Sequence, residues 1–469
     1  MHGIYHYYKT FCISVTDKKQ KFNLVKEENS MKKLLLLVCL FVMTTIITAF
    51  ANVKFDIDEE NEEDIKILQE ERQKRKEELG IRSLSEDEER YASFFGTKYD
   101  IDTTKDVEVA VEFFDNMGYI TEPFTQPTFA QLDRRYYTTD VVTLSGHGGP
   151  ESEKGPSYLS MRQNVGENIG VKATSRNSYE NDISYVGLGR RNLSFCKLMM
   201  FIACESAVGN NSVAEYAQKN GAISTLGWDV LISSKESPTW LREFYSNLEA
   251  GETVGYARRC ANDTILEKSF AEKDIEKKAH LKSTTSNTLL GNKEQVLTYK
   301  RNNSKKESRF IKPDIKIHID YENNDFSELI NYLEKNVAGF DRETCKIESI
   351  HKSEENTYDI YFVKQYKGFN TDYYLYVISE GDRIEYSSTL DKFKEPRKEI
   401  KAANEIKNEI IETAKQEAIH HIQEKYTNID SQKVEIHIDQ EFHPYLIVTT
   451  KLLDEDGAIF ANFYTYEIN

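Results

Sequence analysis

Val141-Val142-Thr143-Leu144-Ser145-Gly146-His147-Gly148-Gly149 and, further on, Leu198-Met199-Met200-Phe201-Ile202-Ala203-Cys204-Glu205-Ser206 are the stretches from which the rest of this chain is best read. Each opens on an apolar run that does not alternate with polar residues. A strand with one wet face alternates, so an uninterrupted run suits a strand covered on both faces, as in a parallel sheet. In open α/β sheets functional groups gather at the carboxyl ends of the strands. His147 and Cys204 each follow such a strand directly, so neighbouring strands would bring the two side chains face to face.

The segments around these runs alternate between helix and strand patterns. Val107, Ala110, Val111 and Phe114 recur at i, i+3, i+4 and i+7, and Gly118 supplies a stop. Phe129, Leu132 and Tyr136 mark a shorter helix. Ser212-Val213-Ala214-Glu215 is a capping box for a helix that Gly221 closes. A third strand is expected at residues 222–228. Pro238 then starts a helix with Leu241, Phe244, Tyr245 and Leu248 on one face, ended by Gly251. Repeated strand and helix implies an α/β fold, a doubly wound, mostly parallel sheet. Residues 156–193 hold short mixed segments, expected as an insertion or hairpin near the sheet edge.

Beyond a polar stretch at residues 282–310, expected as a linker, the period changes to two. Ile315, Ile317 and Ile319 alternate with Lys316, His318 and Asp320, and Val434 to Asp439 repeat the pattern. Residues 358–363, 373–378 and 445–449 add strands, with turns at Gly381-Asp382 and Asp456-Gly457. A long helix is expected over residues 399–426. Residues 311–469 therefore read as one or two α+β modules with antiparallel sheet.

Towards the N-terminus, Met31-Lys32-Lys33, an apolar run over 34–50 and Ala49-Phe50-Ala51 form the basic, apolar and cleavage regions of a secretory signal peptide, residues 31–51. Residues 1–30 read as an upstream extension from a misassigned start, and residues 52–90 as a charged leader. The expected location is secreted or cell-surface, with no stable membrane insertion after cleavage. At 469 residues the chain has room for several domains. Its net charge of -17 argues against nucleic acid and anionic membrane surfaces, which need basic patches. Of the six cysteines, cleavage after Ala51 would leave Cys196, Cys204, Cys260 and Cys345, too few for a disulfide scaffold in so long a chain. The pairing of Cys260 and Cys345 stays open, as does the oligomeric state.

An imidazole beside a thiol can withdraw its proton and later protonate a leaving amine, so Cys204 and His147 are the candidate nucleophile and base. The N–H groups of Gly148 and Cys204 are the candidate oxyanion donors. His318 and His437 sit on the polar phase of strands and His420-His421 are adjacent on a helix, so no metal site and no cofactor are expected.

The His-Gly stretch at 144–149 and the Ala-Cys-Glu-Ser stretch at 203–206 resemble the two motifs of the caspase-like cysteine peptidases. Gly221-Ala222, Trp228, Phe244-Tyr245, Leu248 and Gly251 follow in an order similar to CHAT and gingipain-type domains. The resemblance spans residues 91–262, within an expected domain at 91–281. It implies hydrolysis of a peptide bond in a protein or peptide substrate, through a thioester acyl-enzyme on a Cys/His dyad with no fixed third member. It also implies that an acidic residue would select Arg or Lys at P1, with Asp229 as candidate and Trp228 as a pocket wall. Ile202 departs from the clostripain pattern, which is acidic there. The helix-then-hairpin order of the C-terminal region resembles PepSY modules, implying an inhibitory, chaperoning or surface-binding role. The alternative is a non-catalytic secreted binding or surface-interaction protein on the same fold.

Overall fold

In the computed structural model the chain runs β1 (Tyr91–Phe95), α1 (Thr104–Asn116), β2 (Ile120–Phe124), α2 (Phe129–Thr138) and β3 (Val141–Ser145). A second group of strands follows: β4 (His147–Pro150), β5 (Ser157–Met161), β6 (Asn168–Lys172), β7 (Ser178–Glu180) and β8 (Ile183–Gly187). The chain then returns through β9 (Leu198–Ile202), α3 (Val213–Lys219), β10 (Ser224–Trp228), α4 (Ser237–Glu249), α5 (Val254–Ala271), α6 (Ile275–Ser283) and β11 (Asn287–Gly291). The residues described are 90–468, apart from 151–155, 164–165, 210, 299–309, 322, 355–356, 396–399, 423–427, 440 and 454–458, together with positions 66, 69, 70 and 72–74. The expectations for residues 1–51, for most of the leader, for the centre of the linker and for the Asp456-Gly457 turn lie outside the described residues. Leu68–Asn469 is one unit, and all that follows concerns it.

The first sheet has six strands in the order β11-β10-β9-β3-β1-β2, all parallel except β11. Both apolar runs are covered on two faces, for the reason their lack of alternation suggests. Val141, Leu198 and Met200 point to one core, with Val107, Ala110 and Phe114 of α1 and Trp240 and Phe244 of α4. Val142, Leu144, Met199 and Phe201 point to the other, with Leu132 and Tyr136 of α2 and Val213 and Ala217 of α3. Half of the capping box read from sequence is in place, with Ser212 Oγ accepting from Glu215 N–H at 3.1 Å while Ser212 N–H goes to Gly209 O, and Gly221 has a positive φ of 107°.

Residues 156–193 are not a mere edge insertion. They complete a five-stranded sheet, β4-β5-β6-β8-β7, whose first strand begins at His147 itself. The linker also begins later than expected: residues 282 and 283 end α6, and β11 pairs antiparallel with β10 from Ser224 opposite Gly291 to Trp228 opposite Asn287. The polar composition misled because Asn287 and Thr288 are buried by hydrogen bonds rather than left in water: the Asn287 side chain is bound by Arg258 Nε and donates to Asn262 and Thr284.

The C-terminal half is built as a helix followed by an antiparallel meander, twice. α7 (Ser327–Asn336) precedes β12 (Cys345–Glu354), β13 (Thr357–Tyr366), β14 (Phe369–Glu380) and β15 (Arg383–Ser388). α8 (Asn408–Ile422) precedes β16 (Asn428–Ile438), β17 (Pro444–Leu453) and β18 (Ile459–Glu467). A short parallel contact, Asn370 opposite His437 and Thr371 opposite Ile438, joins the halves into a seven-stranded sheet. Ile315 to Ile319 form no strand. Ile317 and Ile319 are buried, but the segment is tied down only by isolated bonds such as Ile317 N–H to Asp382 O at 2.7 Å. The long helix starts at Asn408 rather than 399, because Ala403 is drawn aside into a cluster with Phe369 and Ile438. Among the described residues no helix is long and apolar enough to cross a membrane.

Candidate active site

The strands carrying the two motifs are neighbours. β3 pairs parallel with β9, with Leu144 opposite Phe201 and Ser145 opposite Ile202, so His147 and Cys204 leave the sheet at the same carboxyl edge. They border one cavity of about 160 Å³, shared with Thr103, Ser145, Ile232 and Ser237. Both are nearly closed off from solvent, at 2% and 6% exposure.

His147 has a partner that the motifs do not contain. Asp100, in the loop between β1 and α1, places Oδ2 2.9 Å from His147 Nε2. Burial works against ionisation of Asp100, but the hydrogen bond and charge of His147 outweigh it and hold the carboxyl below its usual range. The contact ties the Nε2 edge of the ring to the Asp100 carboxylate and so helps to fix its orientation. Asp100 escaped the sequence reading because it lies far from either motif and in no periodic segment. Its only signal was its place just past a strand of the same sheet.

Cys204 is held by backbone instead. Its Sγ lies 3.7 Å from Ile232 O and accepts from Ile232 N–H at 3.4 Å. Burial pushes the thiol up to about 11, so in this arrangement it is neutral. The turn behind it is fixed by Ser206, whose Oγ donates to Phe201 O at 2.8 Å and accepts from Trp228 N–H at 2.9 Å. Glu205 takes a positive φ of 51°, with its N–H on Val230 O.

The glycines around His147 are required by close approach. A Cβ at Gly148 would stand 2.6 Å from Cys204 O, and one at Gly146 would stand 2.2 Å from Ser160 O. Gly148 therefore sits against the backbone of Cys204 and outside the residues that border the cavity.

Asp229 and Trp228 part company. Trp228 is fully buried in the core, edge-on to Trp240, with its indole N–H on Thr284 O at 2.9 Å, and it borders neither the cavity of Cys204 nor that of Asp229. A tryptophan ending a strand covered on both faces has nowhere to go but inward. Asp229 borders a second cavity of about 430 Å³ together with Glu205. Its Oδ1 accepts from Thr288 Oγ1 at 2.9 Å, and its Oδ2 lies 2.7 Å from His351 Nδ1.

Two further groups at the site come from outside the motifs. His280 of α6 borders the cavity of Cys204, with its ring edge-on to Phe463. Burial lowers its pKa to about 4, so it is neutral near pH 7, yet its nearest carboxylate, Glu276, is 4.0 Å away and orients it weakly. Asp106 lies under the floor, accepting from Ser145 Oγ at 2.5 Å and Ser237 Oγ at 2.9 Å. Burial raises it to about 7. The four cysteines among the described residues are free and buried.

No family model matches the chain, and no curated protein matches it.

Proposed function

We propose that this protein is a secreted cysteine endopeptidase of caspase-like fold, with Cys204 as nucleophile and His147 as general base. The observation that carries the reading is the adjacency of β3 and β9, which sets His147 and Cys204 at one sheet edge and on one cavity. Asp100 extends the pair into a third, positioning member.

The His147 imidazole takes the proton from Cys204 Sγ as the sulfur attacks the scissile carbonyl carbon. The resulting oxyanion is met by the backbone N–H of Cys204, whereas Gly148 stands in β4 and does not border the cavity. His147 then gives its proton to the departing amine, the C–N bond breaks and a thioester remains. Water, deprotonated by His147, attacks the thioester and releases the acid product and the thiol. Asp229, with Glu205 beside it, gives the neighbouring cavity an acidic wall suited to a cationic P1 side chain.

One observation favours a second reading, a non-catalytic binding protein on this fold: the thiol is neutral and bound to Ile232 rather than paired with an imidazole. Hydrolysis of a peptide library by the full chain, by Cys204→Ala and by His147→Ala separates the two. The peptidase reading expects cleavage after Arg or Lys that disappears with Cys204→Ala and falls about 10²- to 10⁴-fold with His147→Ala. Cleavage unchanged in either variant would overturn it, and equal cleavage after Arg and Leu would remove the role of Asp229.

A further inference from the structure

The C-terminal sheet reaches the surroundings of Cys204 at three points. Lys451 of β17 places Nζ 2.9 Å from Oε2 of Glu205, the residue after the nucleophile. His351 of β12 meets Asp229 at 2.7 Å. Asn462 of β18 borders the cavity of His147 and Cys204, and β18 packs against β4, the strand that His147 begins.

These contacts share a charge pattern. The core contributes carboxylates, Glu205 and Asp229, and the sheet contributes an ammonium and an imidazole. All four side chains are at least three-quarters buried, at 17% and 19% exposure for Lys451 and Glu205 and 11% and 22% for His351 and Asp229, so solvent screens them little. They line the cavity of about 430 Å³, whose far wall is the sheet itself and carries Lys433, His437 and Lys451 together with Glu435 and Glu348, the last paired with Lys282 of α6 at 2.6 Å. A substrate with a cationic side chain would need the same two carboxylates. Glu205 also holds a backbone conformation that non-glycine residues seldom adopt, which persists only where the surroundings fix it.

We propose that the C-terminal sheet is a built-in blocker of the Cys204 site, in which Lys451 and His351 occupy the acidic positions meant for a cationic substrate and β18 closes the side next to His147. The proposal rests on Cys204 being the nucleophile of a peptidase. Sheet docking and substrate binding then compete, so whatever loosens the sheet raises the reactivity of Cys204, and a bound cationic substrate loosens the sheet.

The test compares the full chain with the double variant Lys451→Glu, His351→Ala by two readouts: the rate of Cys204 alkylation by iodoacetamide, and labelling by an Arg-containing peptidyl acyloxymethyl ketone. The double variant is expected to react roughly tenfold faster or more with both reagents, within the range of ordinary coupling between sites. Because Lys451→Glu alone could disturb folding, the charge swap Glu205→Lys, Lys451→Glu is measured beside it and is expected to return alkylation towards the wild-type rate. Wild type reacting as fast as the double variant would overturn the blocking role and leave the peptidase standing. Faster alkylation of the double variant with no peptidyl labelling would support the blocking contact and overturn the peptidase. A charge swap as reactive as the double variant would overturn the ion-pair basis.

Discussion

Three side chains outside the two motifs decide how Cys204 and His147 behave. On the peptidase reading Asp100 acts through His147, so Asp100→Asn should lower kcat/KM about 10²-fold, the scale of a misplaced catalytic group, and flatten the acid limb of the pH profile. An unchanged profile would make Asp100 merely structural. His280→Ala should leave most activity, whereas His147→Ala should not; the reverse would reassign the base. Asp106 carries a pH dependence of stability. Its native pKa, about 7, exceeds the unfolded value of 3.8, so its native form binds the proton more tightly. The stability it confers is whole below about pH 4 and is lost as pH rises through 7, on the order of 4 kcal/mol in all. Urea unfolding at pH 4, 6 and 8 should show this loss in wild type and not in Asp106→Asn; equal slopes would contradict it. Cys204 and His147 were legible in the sequence because each follows an unbroken apolar run. Asp100 was not, because a loop residue meets its partner only through the fold, and Asp106 showed itself only as a charge one turn before Ala110 on a buried stripe.

Among the elements, three of the five parallel strands, β3, β9 and β10, were readable because burial on both faces removes polar alternation, whereas β1 and the half-exposed edge strand β2 were not read. Elements held by polar side chains were not. β11 looked like linker because Asn287 and Thr288 satisfy buried partners, and Ile315 to Ile319 looked like a strand because alternate burial does not require a ladder. Gly148 read from sequence as an oxyanion donor, and the structure gives it and Gly146 a steric reason instead. Gly148→Ala should cost about 1 to 3 kcal/mol by overcrowding the Cys204 carbonyl, read as a lower Tm, whereas an unaltered Tm would show that β4 can shift away.

On the scale of the whole molecule, the core and the C-terminal sheet are joined by charges taken out of water. Arg258 of α5 pairs with Asp359 of β13, both almost wholly buried, and Lys278 of α6 meets Asp372 of β14 at 2.6 Å. Such pairs add little net stability, but halving one strands a buried charge. Asp359→Ala should therefore destabilise the chain by about 3 to 5 kcal/mol, and Arg258→Met with Asp359→Leu should recover most of it in urea unfolding. Additive losses would place the strength of the junction elsewhere. None of these pairings was visible in the sequence, where each partner is one charge among the 139 of this acidic chain, 61 basic and 78 acidic. The most direct measurement of the central claim is mass mapping of the adduct formed by an Arg-containing peptidyl acyloxymethyl ketone, on wild type and on the Lys451→Glu, His351→Ala form. The peptidase reading predicts a single adduct on Cys204, stronger in the double variant and lost with His147→Ala. No adduct in either form, or a Cys204 adduct indifferent to His147, would contradict it.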